Sequence, residues 1–175
     1  MTGEEGRMKG RAWVFGDDVL NDGGVVPGEV IRKLIVDPRV LATHCMASMN
    51  PRFPGEAKPG DVIVAGRRFG KGQMHVTGPL SIKGSGVGLV TESMTRGFFR
   101  LCVTAGVPMI PFAPGVREIV REGDPVEVDF RRGRIANLAT GQVLEAPPLP
   151  DFLWEIIEAG GEREWLKRQP QETVA

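Results

Sequence analysis

Residues 69–79, FGKGQMHVTGP, set Lys71, Gln73 and His75 among glycines at 70, 72 and 78. Glycine lets a loop take dihedrals closed to other residues. Lysine offers a point charge to an anion, glutamine an amide with no titratable proton, and histidine is the residue type that exchanges a proton near neutral pH. The backbone N–H groups of Gly70 and Gly72 add donors suited to a carboxylate. The chemistry to look for is therefore the holding of an acid and the movement of one proton. A second polar stretch, GDDVLNDGG at 16–24, contributes Asp22, and Arg32 a turn further on is a second cation for an anionic substrate. Each residue also has an ordinary reading: Lys71 as a surface lysine, His75 as a solvated side chain, Asp22 as a turn-former.

These loops need a frame. RAWVFG at 11–16 reads as a strand that runs into the first polar loop, and KPGDVIVAGRRF places the β-branched run 62–65 as a buried strand delivering the chain to the second. Between them, Val30, Ile31, Leu34 and Ile35 form a helical stripe closed by Pro38, and a second helix is expected over Pro38–Met46. After the loop, a short helix capped by Gly84 leads to a strand at Gly88–Thr91. TRGFFRLCVTAG is a helix with Phe98, Phe99, Leu101, Cys102 and Val103 near one face, stopped by Gly106 before a strand at Pro108–Phe112. Val126, Val128 and Phe130 alternate with charged neighbours and turn at RRG into Ile135 and Leu138, the pattern of a hairpin. Asp151 as N-cap, a stripe of Phe152, Leu153, Ile156 and Ile157, and Gly160 as C-cap describe a terminal helix with a second one after it. Crossovers plus hairpins in one chain predict a single α/β domain with a mixed sheet and flanking helices, residues 1–9 and 169–175 being flexible tails.

Composition narrows the function. Of 175 residues, 22 are Lys or Arg and 22 Asp or Glu, so no net field draws the chain to nucleic acid or an anionic membrane. With two cysteines, no CxxC, no long apolar run and a polar start, a reducing cytoplasmic setting is expected, without signal peptide or membrane span. His44-Cys45 imitates a ligand pair, but neighbours on a helix point apart. GSGVG at 84–88 imitates a dinucleotide fingerprint, yet it precedes a strand instead of opening a helix. Neither carries a metal or nucleotide site. Arg96 and Arg100 share a helix face and suit packing or partner docking.

The order of WVFGDDVLNDGGVVPG, HCMASMNPRF, KPGDVIVAGRRFGKG, GVPMI, EGDPVEVD and LPDFLWEIIEAGGEREWLK, spanning roughly residues 10–168, resembles the small subunit of 3-isopropylmalate dehydratase, the swivelling domain of the aconitase superfamily. The resemblance implies a swivelling β/β/α fold. It also implies a large-subunit partner carrying a [4Fe–4S] cluster, and a hydro-lyase of leucine biosynthesis that moves water across a small hydroxy-acid. Two cysteines are too few to ligate such a cluster in this chain.

Members of that family carry Gly-Ser-Ser-Arg-Glu-His after the strand, the serine as base and the arginine on the substrate carboxylate. Here Gly72, Gln73, Met74, His75, Val76 and Thr77 stand in those places. Neither Gln73 nor Met74 can abstract a proton, which leaves His75 as the titratable group of the loop. The family's Thr-Asp after the first strand falls on Asn21 and Asp22, and Asp22 is retained. The resulting expectation is a catalytic pair, His75 and Asp22, with Gly70, Lys71, Gly72, Gln73 and Arg32 binding substrate and no metal on this chain. The other reading is a paralogue of the swivelling domain that has lost catalysis and serves as a binding or regulatory subunit. The retained glycines, with Lys71 and His75 as cations, favour the first.

Overall fold

In the structure, a computed structural model that describes residues 6–169, the element that organises the chain is its first strand. β1 (Arg7–Phe15) changes partner halfway along. Ala12–Phe15 pair in parallel with β2 (Val62–Ala65), whereas Arg7–Arg11 pair antiparallel with β5 (Pro125–Asp129). Outward from β2 come β3 (Gly88–Thr91) and β4 (Met109–Ile110), all parallel; outward from β5 come β6 (Arg134–Asn137) and β7 (Val143–Glu145), all antiparallel. The order is β4-β3-β2-β1-β5-β6-β7. Residues 7–9, expected as a tail, are thus part of the sheet; residues 1–5 and 170–175 of the expected tails lie outside the described residues.

The parallel half is covered on both faces, which is why β2 reads as an unbroken apolar run and every residue of β2 and β3 is buried. Its crossovers are α4 (Thr77–Ser85) and α5 (Arg96–Ala105), and the final pair, α7 (Asp151–Glu158) and α8 (Glu162–Arg168), packs on α5. One buried carboxylate pins the β1–β2 register at its starting end. Asp61, 7% exposed, accepts the Arg11 N–H at 2.8 Å and both the Trp13 indole N–H and the Lys58 N–H at 3.0 Å. Trp13 in turn meets the edge of Phe53 with ring centroids 5.0 Å apart.

Several elements depart from the sequence reading. The stripe from Val30 to Ile35 forms only the short α1 (Gly28–Ile31); Leu34 has φ of +54° and is 84% exposed, so the apolar spacing reflects no long buried face. α2 is confined to Pro38–Ala42, followed by turns through His44 and Cys45, and α3 (Phe53–Glu56) and α6 (Val116–Ile119) are short helices with too little periodicity to be anticipated. The cap of α4 is Gly86, with φ of +68°, not Gly84. Gly84 is needed for another reason: a Cβ there would stand 1.9 Å from the Pro38 carbonyl oxygen, so a side chain would separate α4 from α2. Asp151 is the first residue of α7 without a capping bond, Pro150 holds the cap position, and Gly160 follows the C-cap Ala159. Trp154, 1% exposed, joins Ile156 and Ile157 on the inner face, while Phe152 points out at 59%. Among the described residues no helix is long and apolar enough to cross a membrane.

Candidate active site

Because β1 and β2 are parallel and in register, both deliver the chain to the same edge of the sheet, where open α/β folds hold their ligands. The two polar loops then lace together through their backbones. Gly66 N–H donates to Gly16 O, Asp18 N–H to Arg67 O, both Gly70 and Lys71 N–H to Val19 O, and Asn21 N–H to Lys71 O, over distances of 2.8–3.1 Å. A third loop, after β3, closes the seam. Phe69 N–H donates to Ser93 O, and the Thr95 hydroxyl donates to Gly70 O at 2.8 Å. Gly70, with φ of +75°, is irreplaceable by size as well as dihedral, since a Cβ would fall 2.1 Å from Cγ of the buried Phe98.

On that lacing sit the side chains. His75 Nδ1 lies 2.6 Å from Asp22 Oδ2. The residue after Leu20 is Asn21, wholly buried, and its amide nitrogen donates to both Gln73 O and His75 O at 2.9 Å. Asn21 therefore clamps the loop two residues apart and holds the His75 backbone where its ring reaches Asp22. Asp22 Oδ1 and Asn21 Oδ1 are buried with no hydrogen-bond partner among the described residues. Charged pairs also join the first loop to the segment after β2 and to Arg117. Asp18 binds Arg68 and, at 2.8 Å, Lys71, which together hold its carboxyl far below the ordinary range. Asp17 accepts the Arg67 backbone N–H at 3.0 Å and the Arg117 guanidinium at 2.6 Å, and is likewise lowered. Glu92 accepts from Nε and Nη2 of Arg117 at 3.3 Å, sharing Nη2 with Asp17, and raises it.

Of the residues singled out from sequence, the fold brings together Asp22, His75, Gly70, Lys71, Gly72 and Gln73, within two loops 53 positions apart. Arg32 is the exposed C-cap of α1 with its guanidinium beside Gly28, and among the described residues it makes no hydrogen bond to Asp22 or His75. The loop is also less cationic than its composition implies, because Lys71 and His75 each face an aspartate. The Gly70 N–H is already engaged by Val19, so this glycine shapes the loop. Gln73 and Gly72 are exposed, and Met74 lays its sulfur over Gly97 at the start of α5. Asn21 and Asp18 were not singled out as functional. An asparagine and an aspartate in a Gly/Asp-rich turn look like local turn-formers, and only their long-range partners reveal otherwise.

Neither cysteine suits a cluster. Cys45 and Cys102 are fully buried, burial pushes the Cys45 thiol up to about 11 and Cys102 well above its ordinary value, and ligation needs thiolates. Among the described residues no group of three His, Cys, Asp or Glu could hold a metal ion. An iron–sulfur cluster therefore does not fit the residues of this chain.

A mixed seven-stranded sheet with flanking helices, carrying its polar loops at the carboxyl ends of the parallel strands, defines the swivelling β/β/α class of domain. Comparison with known proteins narrows this. No family model matches the chain. It is 43% identical over 163 residues to 3-isopropylmalate dehydratase small subunit 1 of Methanopyrus kandleri, covering 93% of this chain and 94% of that one. It is 40% identical over 167 residues to the isopropylmalate/citramalate isomerase small subunit of Methanocaldococcus jannaschii, covering 95% and 97%. The crystal structure of 3-isopropylmalate dehydratase from that organism superposes with a TM-score of 0.84 at 34% identity, covering 93% and 94%. The chain belongs to the 3-isopropylmalate dehydratase small-subunit family. The swivelling fold expected from the sequence is the one observed.

Proposed function

We propose that this chain is the small half of a two-subunit hydro-lyase, its two laced loops completing a hydroxy-acid site whose other half, with the iron–sulfur cluster, belongs to a large subunit. The observation that carries the reading is the contact of His75 with Asp22 at the carboxyl ends of β1 and β2. It supplies a proton-transfer group where the family's serine and arginine are replaced. In the dehydrating direction the His75 imidazole takes the proton from the carbon next to the substrate carboxylate. The electron pair of that C–H bond becomes the double bond as hydroxide leaves the adjacent carbon on the partner's side, and rehydration reverses both steps. The exposed Gln73 amide and Gly72 N–H are donors for a substrate oxygen, and Lys71, shared with Asp18, lends charge nearby. Family membership supports a substrate of the isopropylmalate kind, and the cytoplasm is the setting this chemistry calls for.

The test uses the chain assembled with its cognate large subunit. Turnover of a hydroxy-acid by the complex, none by the chain alone, and a fall of roughly a hundredfold or more in kcat for His75→Ala are expected. Full turnover in His75→Ala would assign the base to the partner. A tight complex inert toward a panel of hydroxy-acids would make the chain a non-catalytic subunit.

A further inference from the structure

The structure assigns Asp22 as a positioning residue that fixes the His75 ring with Nδ1–H inward and Nε2 outward, so that Nε2 is the atom through which the proton moves. This rests on the reading of His75 as the proton carrier and deepens it. An ionised carboxylate has acceptors only, so the 2.6 Å contact requires Nδ1 to carry the hydrogen. Asp22 Oδ1 is closed off from water and unpartnered, the Asp22 side chain is 19% exposed, and His75 is the one hydrogen-bond donor that reaches it among the described residues. A carboxylate so enclosed does not touch a substrate arriving at the loop; it acts through the ring. His75 by contrast keeps a side chain 50% exposed, and its backbone is anchored independently by Asn21. One bond fixes the backbone and another the Nδ1 edge of the ring, which leaves Nε2 as the ring nitrogen with no hydrogen-bond partner among the described residues. In the neutral ring this nitrogen is a bare lone pair, the form a general base requires, and after accepting the proton the imidazolium remains held by Asp22. Lys71, in the same loop, is held by Asp18 at 2.8 Å.

The test reads the tautomer directly. The chain has two histidines, His44 and His75, so the imidazole nitrogens resolve in 15N-labelled protein and are assigned with His75→Gln. At a pH where the ring is neutral, wild-type His75 should be the Nδ1–H tautomer, and Asp22→Ala, which removes the acceptor, should shift the population toward Nε2–H. In the assembled complex Asp22→Asn should lower kcat at least about a hundredfold with KM changed little, and Asp22→Glu should recover part of it. A His75 that is already Nε2–H, or whose tautomer is the same in wild type and Asp22→Ala, overturns the assignment. So does a kcat in Asp22→Asn equal to wild type. If the wild-type complex has no turnover, it is the catalytic reading that fails, and the tautomer measurement on the chain alone still decides whether Asp22 sets the ring.

Discussion

Asn21 is where the two loops depend on one side chain, and its replacement separates local from global effects. Asn21→Ala removes two hydrogen bonds, to Gln73 O and His75 O, each 2.9 Å long. At about 1 kcal/mol net apiece they amount to roughly 2 kcal/mol. Against this, the amide oxygen of Asn21 is buried without a partner, and deleting it relieves about 1 kcal/mol of uncompensated desolvation. A small void left by the amide restores part of the cost. The net destabilisation comes to about 1–2 kcal/mol, or a fall in Tm of roughly 2–8 °C for a domain of this size. Asn21→Asp is nearly isosteric but exchanges the donor for a second acceptor, setting a fully buried charge against two carbonyl oxygens. It should cost at least about 3 kcal/mol. Thermal unfolding of the two variants gives the global terms. Amide hydrogen exchange gives the local one, with faster exchange across residues 71–76 in Asn21→Ala while β2 and β3 keep their protection. If Asn21→Asp is no less stable than Asn21→Ala, or exchange in the loop is unchanged, the clamp described above is not what holds the site.

Two further outcomes follow from the same geometry. Gly70→Ala combines a left-handed φ of +75° with a Cβ 2.1 Å from Cγ of buried Phe98, so it should destabilise the chain by about 2–4 kcal/mol in denaturant titration, and a midpoint equal to wild type would contradict the packing. Asp18 is held below its ordinary value of 3.8 by Arg68 and Lys71. A folded pKa lowered in this way gives stability that is present above the unfolded value and lost as pH falls through the acid range below about 4. The Arg68→Ala, Lys71→Ala double variant should therefore show a shallower acid-side loss of stability than wild type, and identical slopes would remove Asp18 from the account.

How much of this was legible beforehand depended on the distance over which each cause acts. Val62–Ala65 and Gly88–Thr91 appear in the structure with the bounds read from sequence, because stretches of four residues flanked by turn residues suit a buried strand. The helix ending at Gly106 was equally plain, its stop being a residue suited to the left-handed cap it adopts. Periodicity misled at Leu34 and Phe152, where apolar spacing was right but the neighbouring elements that decide which face is covered lie far along the chain. The two loops singled out in the sequence for their Gly, Asp, Lys and His residues are the two that the fold laces together. What the sequence could not contain is the pairing. His75 meets Asp22 across 53 positions and Lys71 is taken up by Asp18 at the same separation, because the parallel register of β1 on β2 brings the two loops to one seam. That register rests on buried contacts such as Trp13 on Asp61, 48 positions apart, and residues so distant become partners only when the core between them has packed.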